Sequence, residues 1–520
     1  MSTTFNNAVG PQVRAPHPKP GVVIPFLACA SLIFGLQSAT QYFAYTFNYQ
    51  DVLGNQLGGL YKPWAILEWA SRWTTDYPLQ LRQAGGFGMI VAASGLLCLA
   101  IARTVQASRP RPNPFLHGSA RWANREDIEA ATLLPRSRAF FDWLTGTPRP
   151  STDGVYVGGW LDGKGKLHYL RHSGPEHVLT YAPTRSGKGV GLVIPTLLSW
   201  PHSALIADLK GELWELTAGW RQHHAKNKVL RFEPAAAQGS VRWNPLDEVR
   251  LGTDHEVADV QNLATILVDP DGRGLESHWQ KTSQALLVGV MLHALYQARQ
   301  DGTTTSLPAV DRMLADPQRP IAELWKEMTT YGHVNGQVHP VVGAAARDML
   351  DRPEEEAGSV LSSAKSYLAL YRDPLVAHNV SASEFKIRDL MHHPSPVSLY
   401  LVTKPNDKAR LRPLIRVFVA MAMRLLTDTI AVHRERVPPS GFMGQLERLG
   451  VRSASPQLTT KPAYAHRLLG MLDEFPSLGK LEIFQESLAF MAGYGLKFYL
   501  ICQDINQLRS RETGYGADEA

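Results

Sequence analysis

Two stretches near the N-terminus lack the usual mixing of apolar and charged positions. No charged residue lies between Gly21 and Gln50, and the run from Gln83 to Ala102 is also uncharged. A helix of about 20 apolar residues crosses a bilayer core, so the pattern predicts transmembrane helices over 21–47 and 83–103. A signal peptide followed by a buried helix fits less well. The first run is too long for a signal core and lacks a small-residue cleavage site. Arg103, Arg109, Arg111, Arg121 and Arg125 crowd the exit of the second run, whereas the loop 48–82 sets Lys62, Arg72 and Arg82 against Asp51, Glu68 and Asp76. The positive-inside bias puts the tail 1–20 and the large C-terminal region in the cytoplasm. Tyr61, Trp64, Trp69 and Trp73 in the loop suit an interfacial belt, with contact to another membrane protein as the alternative.

Past a Pro- and Arg-rich linker (104–114) the periodicity changes. VYVGGWLDGKGKLHYL reads as a hairpin around Asp162-Gly163, and short apolar runs then alternate with helical patterns. HVLTYAP, SALIADL, VSLYLVTKP, HRLLGMLDEF and LKFYLICQD are the strand candidates. Continuous apolar strands separated by helices indicate a parallel sheet covered on both faces, an α/β domain split into 104–252 and 386–520. Strand signals vanish from 253 to 385, where EVADVQNLATILV, SHWQKTSQALLVGVMLHALYQARQ and EEAGSVLSSAKSYLALY repeat at helical spacing. That segment is predicted to be an all-α insert. Residues 434–463, rich in Pro and Ser, read as a surface loop.

Composition narrows the classes. The 520 residues, 44% hydrophobic and 19% charged, give ample core and exclude a disordered chain. Three cysteines, Cys29, Cys98 and Cys502, cannot build a disulfide framework or a four-thiolate zinc site. A net charge of +6 permits an anionic partner without requiring one. His223-His224 and His392-His393 are adjacent pairs that point in different directions, so no histidine cluster has metal-ligand spacing.

The candidate chemistry lies at strand ends. Ala182-Pro183-Thr184-Arg185-Ser186-Gly187-Lys188-Gly189 stands between a strand and a helix, as a phosphate-binding loop requires. It departs from the general pattern at Ala182, where a Gly is usual, and at Gly189, where a Ser or Thr hydroxyl usually meets Mg²⁺. Thr184, Arg185, Ser186, Gly187, Lys188 and Gly189 are the candidate nucleotide-binding residues; an ordinary Gly-rich turn is the alternative for the loop alone. The apolar strand 468–472 ends in Asp473-Glu474, with Asp473 suited to hold Mg²⁺ and Glu474 to orient or deprotonate an attacking water. Gln503, at the end of the next strand, is a candidate γ-phosphate sensor or a hydrogen-bonded surface residue.

These residues occur with NAVGPQVRA, LHGSARWA, YAPTRSGKGVGLVIPTLLSW, DLKGELWELTAGW, RWNPLDE, HWQKTSQALLVGV, LLGMLDEFPSLGKLEI and ICQDINQLRSRETGYG. Together they resemble, nearly end to end, the TraG-type coupling proteins of bacterial conjugation in the type IV secretion class. The resemblance implies a RecA-like P-loop NTPase domain with an all-α insert, anchored by two N-terminal transmembrane helices in the inner membrane, so that 48–82 is periplasmic. It implies an ATPase using ATP and Mg²⁺, assembled as a homo-oligomeric ring, expected to be a hexamer. Its partners would be single-stranded DNA, relaxase and relaxosome proteins, and the secretion channel. Glu474 and Gln503 become the expected catalytic pair, Asp473 the Mg²⁺ residue, and the Gly189 ending is normal for the family. Asp208, Lys210 and Glu212 match a D-x-K-G-E element expected near the nucleotide or subunit interface, or simply a strand-to-helix turn. Arg410 and Arg412 are arginine-finger candidates or solvated charges.

Family chains continue beyond the strand that ends at Gln503, so the resemblance implies a fragment or a truncated product lacking edge strands. The leading function is an ATP-driven motor that couples the relaxase–DNA complex to the channel. A docking receptor shaped by ATP and a double-stranded DNA translocase are the alternatives. DNA contact would be electrostatic, salt-sensitive and largely sequence-independent.

Overall fold

The structure, a computed structural model, describes residues 23–56, 58–108, 122–134, 153–428, 432–437, 457–462, 464–510 and 514–517. The tail 1–20, Arg109, Arg111, Arg121 and the centre of the 434–463 loop lie outside the described residues. The chain divides into two units, 1–122 and 123–520.

The first unit is built on two long helices, Val23–Thr46 and Pro78–Ser108. The second starts before, and ends after, the predicted span 83–103, and its last turns replace the start of the predicted linker. Small residues recur every fourth position on both helices: Ser31, Gly35 and Ala39 on the first, and Ala84, Gly88 and Ala92 on the second. That spacing stacks them on one face, so the backbones approach closely. A Cβ on Gly88 would fall 2.6 Å from the Gly35 carbonyl oxygen, and Ser31 Oγ donates to the Ala92 carbonyl at 3.2 Å. Among the described residues one helix, Pro78–Thr104, is long and apolar enough to cross a membrane. The first helix is uncharged but carries Gln37, Ser38, Thr40 and Gln41 in its second half. The segment 48–82 contains a helix, Ala65–Trp73, and the aromatic belt expected there is only partly present. Tyr61 and Trp69 are buried, with Trp69 packed against both Phe43 and Tyr61 and its Nε1 donating to the Leu53 carbonyl at 3.2 Å, while Trp64 is exposed. These rings close a small core of their own because the short helix folds back onto them.

In the second unit, β1 (Val155–Leu161) and β2 (Leu167–His172) form the predicted antiparallel hairpin. Six parallel strands follow: β3 (Val178–Tyr181), β4 (Ser203–Asp208), β5 (Lys228–Phe232), β6 (Val397–Val402), β9 (Leu468–Leu472) and β10 (Leu496–Cys502). Their order across the sheet is β3-β10-β9-β4-β6-β5. Side chains alternate between the faces, as a pleated strand dictates. Ala204, Ile206, Tyr400, Met471, Tyr499 and Ile501 meet the helices Ile194–Ser199 and Glu212–His223. Leu205, Leu399, Leu472, Phe498 and Leu500 face the opposite core, which includes the helix Lys408–Leu426. Both faces are covered, which is why the strands read as continuous apolar runs.

The segment predicted as an all-helical insert leaves after β5 and returns before β6, beginning with Glu256–Val268 and His278–Gln300. Inside it three histidines meet. The His339 N–H donates to His333 Nδ1 at 3.2 Å, so neutral His333 offers its Nε2 proton to His293 Nδ1 at 2.9 Å. Burial pushes His293 down to about 4 and also lowers His333, so the His293–His333 pair is neutral at pH 7.

The 434–463 loop needs correction at its edges. β7 (Val432–Val437) and β8 (Gln457–Pro462) pair antiparallel, with His433 opposite Lys461 and Glu435 opposite Thr459. The prediction weighed Pro and Ser content and overlooked the β-branched Val and Thr positions at both ends.

Two buried cations hold this unit together without a carboxylate. Arg221, fully buried, donates from Nε to Ser398 Oγ (2.6 Å), from Nη1 to the Leu197 and Trp200 carbonyls (2.6 and 2.9 Å), and from Nη2 to the His202 carbonyl and Asn227 Oδ1 (both 2.7 Å). It thereby joins the C-terminal end of the helix Ile194–Ser199 to the starts of β4, β5 and β6. Arg221→Met should remove about 3 kcal/mol, because it strands several buried acceptors at once, and would be read as a lower thermal unfolding midpoint of the full chain. Lys497, buried on β10, donates to the His172 and Gly174 carbonyls at 3.1 and 2.7 Å and lies 2.8 Å from His172 Nδ1. Burial holds its ammonium down to about 8. Between that value and the ordinary lysine range the unfolded chain binds the extra proton, so stability should rise with pH across this window. Comparing thermal midpoints from pH 8 to 10 with those of Lys497→Met isolates the effect, because the variant should lose this rise.

Candidate phosphate-binding site

Parallel strands send all their C-terminal ends to one edge of the sheet, and loops at that edge form the crevice where ligands bind. β3 runs out into residues 182–189, β9 into Asp473-Glu474, and β10 into Gln503. Because β10 lies between β3 and β9, Gln503 is inserted between the loop and the acids. The Ala182 N–H donates to the Cys502 carbonyl at 2.8 Å, which carries the sheet ladder to the mouth of the loop.

Arg185 and Gly187 take left-handed backbone angles (φ +63° and +83°), the conformation that turns successive N–H groups toward one concavity. The helix opens at Gly189 with one widened turn and continues through Ser199. Lys188 reaches across the edge: Nζ donates to the Asp473 carbonyl at 3.2 Å and stands 3.4 Å from Asp473 Oδ1 and 3.7 Å from Glu474 Oε2. Asp473 Oδ1 is buried and accepts no hydrogen bond, an orphaned carboxylate oxygen facing the loop lysine. Gln503 bridges the rest. Its Nε2 donates to both Glu474 oxygens at 3.1 and 3.2 Å, and its Oε1 accepts from Thr184 Oγ1 at 3.1 Å.

The structure thus brings Thr184, Lys188, Asp473, Glu474 and Gln503 into one connected cluster. Gln507, which the sequence reading missed, accepts the Gln503 N–H on its Oε1 at 2.9 Å and fixes the backbone from which Gln503 projects. Its spacing, four residues after Gln503 on the following turn, was the available signal. Cys502 lies beneath this cluster, and burial pushes its thiol up to about 11, so it stays protonated.

The other candidates lie elsewhere in the bonding pattern. Asp208 spends both oxygens on its own strand-to-helix turn, accepting from the Gly211 N–H (2.8 Å), the Lys210 N–H (3.3 Å) and the Trp214 N–H (2.8 Å). Arg410 pairs with Asp407 and Asp373, and Arg412 with Asp271 at 3.1 Å, so both arginine-finger candidates are engaged within their own chain.

Comparison with known proteins identifies the family. A family described as type IV secretory system conjugative DNA transfer matches residues 121–443 and 442–520. The chain is 64% identical over 515 residues to the conjugal transfer protein TraG of Escherichia coli, covering 99% of this chain and 78% of that one. It is 27% identical over 428 residues to the protein VirD4 of Agrobacterium fabrum, covering 81% and 55% respectively. Among solved structures, the plasmid coupling protein TrwB in complex with ADP and Mg²⁺ aligns at 19% identity with a TM-score of 0.46, over 70% of each chain. The end-to-end identity to TraG and the family match agree: this chain belongs to the TraG family of conjugative type IV secretion coupling proteins.

Proposed function

We propose that this chain is an ATP-driven coupling protein of the inner membrane, which links a relaxase–DNA complex to the type IV secretion channel and helps drive single-stranded DNA into it. The observation that carries the reading is the convergence of Lys188, Asp473, Glu474 and Gln503 at one sheet edge, within hydrogen-bonding or ion-pair reach of one another. Lys188 faces two carboxylates that an incoming triphosphate would replace as its counter-charge. The backbone N–H groups of Thr184–Gly189, opening a helix, suit the β- and γ-phosphates. The donor set fits Mg²⁺: Asp473 Oδ1, buried without a hydrogen bond and paired only with Lys188 among the described residues, is a hard oxygen that would hold the ion directly or through water. When bound, Mg²⁺ neutralises charge developing on the transferred phosphoryl group. Glu474 orients the attacking water and takes its proton, and Gln503, already bonded to both Glu474 and Thr184, reports to that acid whether the phosphate loop is filled.

The membrane reading is a two-pass anchor with both termini in the cytoplasm. The matched small-residue faces of Val23–Thr46 and Pro78–Ser108 support it, since close backbone approach is how helices associate in lipid. A homo-oligomeric ring, expected to be a hexamer, relaxosome proteins and channel proteins complete the proposed assembly, with DNA held through its phosphates and released by salt.

The test is ATP turnover by the full protein in detergent, with and without single-stranded DNA, together with DNA transfer in cells. Lys188→Ala should leave membrane insertion intact and lower both turnover and transfer by at least about a hundredfold, since it removes the charge that meets the phosphates. Stimulation by single-stranded DNA identifies a motor, and stimulation by duplex DNA alone favours a translocase. Normal transfer by a stably expressed Lys188→Ala protein would reduce the site to a docking receptor's.

A further inference from the structure

The turn that follows the two acids is gripped from outside the sheet. Phe475–Leu478 forms one tight helical turn directly after Glu474, and Gly479, at φ +69°, redirects the chain into Lys480. Arg416, on the helix Lys408–Leu426 and 2% exposed, donates from Nη1 to the carbonyls of Leu478 at 2.8 Å and Lys480 at 2.6 Å. One helical turn earlier, on the same face, Arg412 donates from Nη2 to Asp271 Oδ1 at 3.1 Å and stands 3.5 Å from the Pro270 carbonyl. Residues 269–274 are the first interhelical loop of the insert. Buried Asp269 shapes that loop by accepting from the N–H groups of Gly272, Arg273 and Gly274.

The insert loop and the acid turn meet with no space between them. A Cβ on Gly272 would fall 2.2 Å from the Lys480 carbonyl oxygen and 2.9 Å from Arg416 Nη2. A Cβ on Gly479 would fall 2.9 Å from Arg412 Nη2. Close-packed contacts transmit displacement because neither side can yield independently. Arg416 itself is a costly residue to bury: its Nε has no partner, and its Nη1 bonds go to the backbone of the acid turn rather than to a carboxylate. A methionine would fill the same space more cheaply.

We infer that Arg416 is a positioning residue for Glu474, and that it couples the placement of that acid to the 269–274 loop of the helical insert. A change in how the insert is seated, as when it engages a partner, moves the loop against Lys480 and alters the reach of Glu474 to water. The inference rests on the reading of Glu474 given above and adds to it the route by which the insert acts on hydrolysis.

Three variants of the full protein test it: Arg416→Met and Arg416→Lys from the sheet side, and Gly272→Ala from the insert side, which leaves both arginines in place. The readouts are kcat and KM for ATP and affinity for a fluorescent ADP analogue. Arg416→Met and Gly272→Ala should each lower kcat by about tenfold or more while KM and ADP affinity stay within about threefold, the signature of an interaction that serves the reaction rather than binding. Arg416→Lys should recover part of the loss, since an ammonium still reaches one of the two carbonyls. Unchanged kcat in either Arg416→Met or Gly272→Ala would overturn the inference, as would parallel loss of kcat and ADP affinity, which marks general disruption. Wild-type turnover no higher than that of Lys188→Ala would instead remove the hydrolytic reading, and this inference with it.

Discussion

The arrangement of the site depends on β10 being hydrogen-bonded between β3 and β9. Parallel pairing aligns Tyr499 with both Val178 and Met471, so the three strands end within two residues of one another, β9 at Leu472 opposite Leu500 and β3 at Tyr181 opposite Cys502. The loop that starts at Ala182, the acids at 473–474 and the amide of Gln503 are therefore held within reach by backbone bonds, before any side chain contributes. Were β9 next to β3, Lys188 could still meet the acids, but nothing would bridge Thr184 to Glu474. The Gln503 contact to both is thus a consequence of strand order, and it gives the loop and the acid a common partner.

Stiffness behind the site comes from buried cations satisfied by carbonyls. Arg221 collects acceptors at the far end of the phosphate-loop helix and at the starts of three strands. Lys497, at the other end of β10 from Gln503, ties β10 to the chain leaving β2. Neither has a carboxylate partner among these contacts, so the bonds go to backbone carbonyls and to the neutral side chains of Ser398, Asn227 and His172 rather than to pairing charge. That arrangement is demanding, because loss of the cation strands several acceptors together. It is also specific, since only one packing of helix on strand satisfies every donor of Arg221.

The helical insert is tied to the α/β core by more than its two chain connections. Its first interhelical loop abuts the turn that follows Glu474, and one helix of the core supplies Arg412 to the insert and Arg416 to the turn. Under the proposed function, a partner engaged by the insert would have to influence ATP hydrolysis in the core. A contact with no room for even a methyl group is a short physical path for that influence.

Much of this was legible along the chain. The apolar runs, the glycine-bearing loop before a helix, and the acid pair at the end of a strand are local patterns, set by side-chain periodicity and by the backbone needs of a phosphate loop. They sufficed for an α/β sheet with a helical insert, and for Lys188, Asp473, Glu474 and Gln503 as candidates, which the structure places side by side. The hairpin β7–β8 escaped because loop composition outweighed a weak strand signal, and Tyr61 and Trp69 were assigned to an interface although they close a local core. The pairing of Arg410 with Asp373, the three-histidine network, the grip of Arg416 and the bridge from Gln503 to Thr184 joined residues far apart in the chain. Sequence by itself determined which residues could do the chemistry, because periodicity and motif are local. Only the tertiary structure decided which of them touch, because strand order and helix packing choose neighbours by burial and hydrogen-bond satisfaction, which no local pattern encodes.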